Sequence, residues 1–406
     1  MSRTAVAARL KGAFGNSEFW SAQLILLAAS GFAVAFGEGI INSARANFFV
    51  DVIGLSGSQV LWLEGLREIP GILLIVIAAM LMYLPATTRA AVAILIMGVG
   101  FMLEAATNSF WGLVAMAVVA STGAHVWMPL QNVLGFAAVP KRYSGRALGM
   151  LQSVAALASI VGMGAIGLVS ALNSSTSLRL YFIIGGAFIV VGAVLLLKLP
   201  RTLGATAERS PRVVLKARYW LYYVLTFFEG SRKQVLHTFG TLYLVDQFKL
   251  PVWQISTLLV LSSVVNLAAS PVMGALVDRL GERKTLSGSY AALVVCCGAF
   301  AVFDQPLLLM SIFVVMRMLV LLGMGLNTYV NRVAPRQELD PTLSAGISIN
   351  HVTSVGMPIV AGLLLPLIGY QGVFAGTALL ILLSIPFTLA IRMPAGEAQV
   401  AAAPAE

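Results

Sequence analysis

"GALVDRLGERK", residues 274–284, gathers Asp278, Arg279, Arg283 and Lys284 into one short turn between two long apolar runs. Gly274 and Gly281 bracket the first charges. Such a turn suits a chain that leaves one apolar helix and re-enters another, with charge confined to the water-exposed link.

The rest of the sequence agrees. Of 406 residues, 59% are hydrophobic and 10% charged, against about 25% charged in an ordinary soluble domain. Windows such as Leu24 to Ala35, Ile72 to Leu84, Tyr181 to Leu197 and Val373 to Ile391 extend toward the roughly 20 residues that cross hydrocarbon. The chain therefore reads as an all-α polytopic membrane protein. Twelve spans are expected near 21–46, 57–83, 89–106, 110–136, 145–171, 179–198, 218–246, 252–277, 287–304, 307–333, 343–368 and 371–392. The longest polar stretch between spans, 199–217, divides them into two sets of six. The expected organisation is a tail over 1–20, a bundle over 21–198, a linker over 199–217, a second bundle over 218–392 and a tail over 393–406.

The net charge of +10 has a topological explanation. With both termini cytoplasmic, Lys141, Arg142, Arg146, the 199–217 linker, Arg279, Arg283, Lys284, Arg332 and Arg336 all fall on the cytoplasmic side. The opposite loops hold little beyond Arg45, Arg179 and Lys249. The basic excess thus needs no nucleic acid. Cys296 and Cys297 are adjacent in an apolar run, where a bridge between neighbours closes no useful loop. The expectation is a monomeric integral protein of a bacterial inner membrane, with the lipid bilayer as its surroundings and no cofactor or metal.

The halves also resemble each other. "LSGSQ" at 55–59 lines up with "LPVWQ" at 250–254, and Asp51 with Asp246 at the same offset. That shift sets Gly274–Lys284 opposite Ala79–Arg89, while "FGEG" at 36–39 matches "FFEG" at 227–230. A turn of the form G-x-x-x-D-R-x-G-x-R-K between the second and third spans of a six-span unit resembles the signature loop of the major facilitator superfamily. The resemblance extends over the chain through its twelve spans and central linker. It implies two parallel six-helix repeats and transport by alternating access. It also implies a gating loop of Gly274, Asp278, Arg279, Gly281 and Arg283, in which the aspartate pairs with arginine and latches the two halves. In the first-half copy Tyr83 and Thr88 stand where Asp278 and Arg283 stand, which shifts the gating emphasis to the second half.

Ionisable groups within hydrocarbon are rare and mark candidate sites. Glu38, Asn42 and Arg45 share one face of span one, and in span two Glu64 and Glu68 share a face with Arg67 in reach of Glu64. Span seven carries Glu229, Arg232, Lys233 and His237, and span ten Arg317 and Asn327. His125 lies in span four, Asn350 and His351 in span eleven. By resemblance, spans one, four, seven and ten line the central cavity. Glu38 and Glu229, at matched positions, are either proton carriers or substrate-charge partners, or else hold structural ion pairs with Arg45 and Arg232. Glu64, Arg67 and Glu68 suit a structural or gating role. Arg317 suits a counter-ion for an anionic substrate or for Glu229. His125, His237 and His351 fall at different depths, so no shared metal is expected.

No metalloprotease helix, serine elbow or phosphate-binding loop occurs in the sequence. A membrane enzyme is therefore disfavoured. A sensor would gain a soluble output domain, whereas the segment after Arg392 is short. The functional expectation is a secondary transporter, coupled to protons or alternatively Na⁺, that moves a small charged or zwitterionic organic solute. A proton-linked exporter of drugs or metabolites is the alternative.

Overall fold

A computed structural model of the chain describes residues 19–81, 83–204, 215–234 and 238–392. These residues are helices joined by short links, and no strand occurs among them. In hydrocarbon a backbone N–H or C=O has no water to bond, so the helix, which satisfies both internally, is the natural solution for so apolar a chain.

The helices are α1 (Ala22–Asn47), α2 (Gly57–Leu66), α3 (Ile69–Ile72), α4 (Leu74–Leu81), α5 (Ala86–Glu104), α6 (Phe110–Ala137), α7 (Ser144–Leu172) and α8 (Leu178–Leu196). They continue as α9 (Trp220–Gln234), α10 (Gly240–Phe248), α11 (Val252–Val302), α12 (Pro306–Val320), α13 (Met324–Val333) and α14 (Arg336–Leu389). Eight stretches among the described residues are long and apolar enough to cross a bilayer. Two of them, the 51-residue α11 and the 54-residue α14, each contain two expected spans. They break at Gly281 (φ 77°, ψ 160°) and Gly369 (φ 66°, ψ 178°). Only glycine enters that region without a Cβ penalty, so the second glycine of the opening motif is what reverses the chain.

Spans two, seven and ten differ from the continuous helices expected, span ten dividing into α12 and α13 at Leu321–Gly323. Span two is three pieces, α2, α3 and α4, with Arg67 and Glu68 in the link after α2. Pro70 has no N–H to continue the ladder, and Glu68 N instead donates to Gly65 O at 3.1 Å. Span seven is divided between α9 and α10, and His237 lies outside the described residues.

The internal repeat has a structural counterpart. "LSGSQ" opens α2 as a capping box, in which Ser56 Oγ accepts from Gln59 N and Gln59 Oε1 accepts from Ser56 N. Just before it, Gly54 is left-handed (φ 74°) and Leu55 N donates to Phe49 O at 2.9 Å. In the second copy Lys249 is left-handed (φ 52°) and Leu250 N donates to Leu244 O at 3.4 Å. The same turn is built twice, once with glycine and once with a lysine for which that conformation costs about 1–2 kcal/mol.

The chain forms two compact units, one of residues 1–44 with 73–209, the other of residues 45–72 with 210–406. In the first, α5 lies between α6 and α8. Gly98 of α5 faces Gly186 of α8, and Gly37 of α1 faces Gly185 of α8. Small residues let backbones approach closely where lipid offers no hydrophobic drive to association. Arg179 at the start of α8 closes the α5–α6 link, donating from Nη1 to the carbonyls of Ala105 and Thr107 and from Nη2 to Asn108 Oδ1.

In the second unit α14 packs along α9, α11 and α2. Glu338 at the start of α14 gathers the incoming chain, accepting from Tyr219 Oη at 2.8 Å, with Lys216 Nζ at 3.0 Å and Arg218 also paired. The Gly281 turn is held from inside. Glu282 is buried and its Oε1 lies 3.0 Å from Arg332 Nε at the end of α13. Arg332 Nη2 also lies 3.9 Å from Asp278, whose side chain is exposed. Glu282 has no hydrogen bond among the described residues, so Arg332 compensates it as a charge alone.

This packing can be tested by thermal melts of the detergent-solubilised protein. A Cβ at Gly185 would lie 2.6 Å from Ile41 Cγ1 and 2.7 Å from Gly37 O. Gly185→Val is expected to destabilise the protein by about 1–3 kcal/mol. Gly164→Ala, where no heavy atom lies within 4 Å of the added Cβ, is the neutral control in the same melt. Arg332→Ala strands the buried Glu282 and is expected to cost about 3–5 kcal/mol. Adding Glu282→Gln should restore part of that loss, and Asp278→Asn alone should shift stability by no more than about 1 kcal/mol. Equal melting temperatures for Arg332→Ala and Asp278→Asn would refute the assignment.

Candidate functional site

The densest buried charge group lies in the second unit, where span two is interrupted. Glu64, on the last turn of α2, is 1% exposed. Arg67 caps that helix and donates from Nε to Glu64 Oε2 at 2.7 Å, while its Nη2 lies 3.6 Å from Glu68 Oε1. From α14, His351 brings Nδ1 to 3.8 Å from Glu68 Oε2. Close approach of α14 allows this. Gly65 leaves no room for a Cβ, which would meet Val355 O and Ile359 Cγ1 at 2.8 Å.

The charge balance in this group depends on one proton. Arg67 serves two carboxylates, so with His351 neutral the four side chains carry one surplus negative charge. Protonation of His351 turns its contact with Glu68 into an ion pair and makes the group neutral. Spacing along span two brings Glu64, Arg67 and Glu68 together; it gives no sign of His351, which is distant in sequence and arrives only through packing.

A second group surrounds α9. Spacing alone suggests that Glu229 pairs with Arg232 or Lys233, and neither ion pair forms among the described residues. Arg232 is buried with its guanidinium carbon 3.6 Å from the centroid of the Tyr290 ring, a cation–π arrangement. Glu229 rests against α12–α13, where a Cβ on Gly323 would collide with its Oε1. Gly230 faces Asn350 and Thr353 of α14, and Lys233 is exposed.

Glu38 and Arg45 are half-buried on α1 and Asn42 is exposed. His125 is buried on α6, with Nδ1 2.8 Å from Ser121 O and 3.1 Å from Ser121 Oγ, a contact within its own helix. Arg317 is half-buried with its guanidinium carbon 5.8 Å from the Phe313 ring centroid, and Asn327 is exposed. In the motif turn Arg279 and Arg283 are exposed, and Asp278 takes Arg332 as its partner in place of either. Glu282, the buried acid of that turn, is not marked by the sequence pattern; an acid amid basic residues is the only available sign.

Comparison with known proteins adds the lineage. A family model described as Major Facilitator Superfamily matches residues 27–326 and 222–405. No curated protein matches the chain. Among solved structures, the nucleoside transporter NupG aligns with a TM-score of 0.74 at 13% identity, covering 91% of this chain and 99% of that one. A bacterial homologue of the human lysosomal transporter Spinster gives 0.71 at 14% identity, with 91% and 96% covered. A bacterial homologue of the iron transporter ferroportin gives 0.71 at 16% identity, with 91% and 98% covered. At such identities these structures share the fold. With the family model matching twice along a chain whose described residues are helical and apolar, the protein is a member of the major facilitator superfamily, an integral membrane transporter.

Proposed function

We propose that the protein is a proton-coupled secondary transporter for a small charged or zwitterionic organic solute, cycling by alternating access with both termini in the cytoplasm. The observation that supports it most directly is the Glu64–Arg67–Glu68–His351 group at the break in span two, in which Glu64 is buried and the other three are half-buried. A helix broken in hydrocarbon at two carboxylates and an imidazole is costly unless it serves a purpose. Transporters place ion sites at discontinuous helices of this kind.

In this reading His351 and Glu68 carry the proton. When His351 is protonated, its attraction to Glu68 draws α14 toward the α2–α3 link; when the proton leaves, the surplus carboxylate charge loosens that contact. Glu64 stays paired with Arg67 and acts as the fixed member. In the second unit Glu229, with Arg45, Arg232 and Arg317, is the charged part of the solute path, and Asn327 and Asn350 supply neutral hydrogen-bonding groups; in the first unit the assigned residues are Glu38, Asn42 and His125. Arg332 with Glu282 and Asp278 clasps the Gly281 turn as a gating element.

The test is solute-driven proton movement in proteoliposomes, with amino acids, amines and carboxylates offered in turn. Glu68→Gln and His351→Asn are expected to abolish proton movement while leaving solute exchange at equal pH intact. Glu229→Gln is expected to weaken exchange itself. Proton movement unchanged in both Glu68→Gln and His351→Asn would defeat the proton assignment. Movement of a solute with no proton flux in the wild type would defeat coupling.

A further inference from the structure

At the end of the second unit opposite the Gly281 turn, a cavity of about 780 Å³ opens between the tip of α2, α10, the α11–α12 link and the Gly369 break of α14. That volume lies in the range of small-molecule sites, about 300–1,000 Å³. None of the charged groups discussed under the candidate site lines it.

Two carboxylates face this space, and each is braced by a tyrosine. Asp246 accepts from Tyr370 Oη at 2.8 Å; Asp304 Oδ1 accepts from Gln371 Nε2 at 2.9 Å and from Tyr243 Oη at 3.3 Å. The half-buried rings of Tyr370 and Phe248 form an aromatic wall at the cavity, backed by the buried Tyr243. Tyr243 and Tyr370 have ring centroids 5.0 Å apart, and Phe248 meets Tyr243 edge-on at 5.4 Å. Carboxylates on an aromatic wall attract cations in which charge and alkyl surface come together, and disfavour small hydrated metal ions that need a full oxygen shell.

One of these carboxylates already has an ammonium neighbour, from a lysine that does not itself line the cavity. Lys249 Nζ lies 3.6 Å from Asp246 Oδ1, while the lysine side chain is 67% exposed. Lys249 is the non-glycine residue with positive φ among the described residues, at the turn where the first repeat has Gly54. The repeat shows that this turn works with glycine, so the lysine is there for its side chain. Asp304 has no such resident cation among the described residues.

We propose that this cavity binds organic ammonium ions, with Asp304, Asp246 and the Tyr243–Tyr370 wall as the recognising groups and Lys249 as the resident counter-ion that an incoming ammonium displaces from Asp246. This rests on the transport reading above only in assigning the amine to the transported solute. Lys249 tethers a weak internal competitor in the site, which favours release as well as capture. In the orientation proposed above, the cavity is the outward mouth of the second unit.

The experiment is isothermal titration of the purified full-length protein in detergent with tetramethylammonium chloride, at constant ionic strength, beside sodium and calcium chloride. Saturable binding of tetramethylammonium is expected, weakened about tenfold or more by Asp304→Asn and by Asp246→Asn. Lys249→Gly, which restores the glycine of the first repeat and removes the competitor, is expected to tighten binding several-fold. The Lys249→Gly result keeps the proposal testable should an aspartate variant misfold, because that variant leaves both carboxylates in place. Calcium binding tighter than tetramethylammonium, no saturable tetramethylammonium binding, or equal affinity in wild type and both aspartate variants would each overturn the proposal. Glu68→Gln is expected to bind tetramethylammonium as the wild type does, so loss of proton coupling and loss of this site are read separately.

Discussion

In a chain this apolar the governing constraint is that no backbone N–H or C=O can be left open in hydrocarbon. Long uninterrupted helices satisfy it automatically, and every interruption has to be compensated. At three of its interruptions charge gathers. Glu64, Arg67 and Glu68 surround the break in span two, Glu282 and Asp278 meet Arg332 at the Gly281 turn, and Asp246 and Lys249 sit at the left-handed turn before α11. Elsewhere side chains take up open backbone groups directly, Arg179 at the α5–α6 link and Ser56 with Gln59 at the start of α2.

Helix association meets a related constraint. Lipid tails are as apolar as the side chains they would replace, so close contact has to come from shape. In the first unit it comes from glycines facing carbonyls across α1, α5, α6 and α8. In the second, long α14 serves as the common neighbour of α2, α9 and α11, and it delivers His351 and Asn350 to groups on other helices. The two units thus differ in what their contacts carry: mostly packing in one, packing with charge in the other.

How far the sequence can be read follows from which patterns are local. Hydropathy shows the spans, because hydrocarbon thickness sets a length that a window can measure. The opening turn is readable through Gly281, whose positive φ reverses the chain, and through charges confined to that link. Spacing along one helix places Arg67 beside Glu64. The same spacing argument misleads for Glu229 and Arg232, because a neighbour one turn away competes with partners from other helices. Tyr290 takes the guanidinium and Gly323 makes room for the carboxylate. Arg332 reads as a topological charge alone until α13 brings it to Glu282.

By itself, then, the sequence determined that the chain spans a membrane as helices, that it is two copies of one unit, and which side chains are too polar to be idle in hydrocarbon. These depend on composition and short-range periodicity, which survive without a fold. Tertiary structure decided which of those side chains meet. It brought His351 to Glu68, buried Glu282 against Arg332 and set Asp246, Asp304 and two tyrosines around one open cavity. Pairing between distant segments depends on helix rotation and on gaps as small as the Cβ that Gly65 or Gly323 lacks, and neither quantity is written in the order of residues.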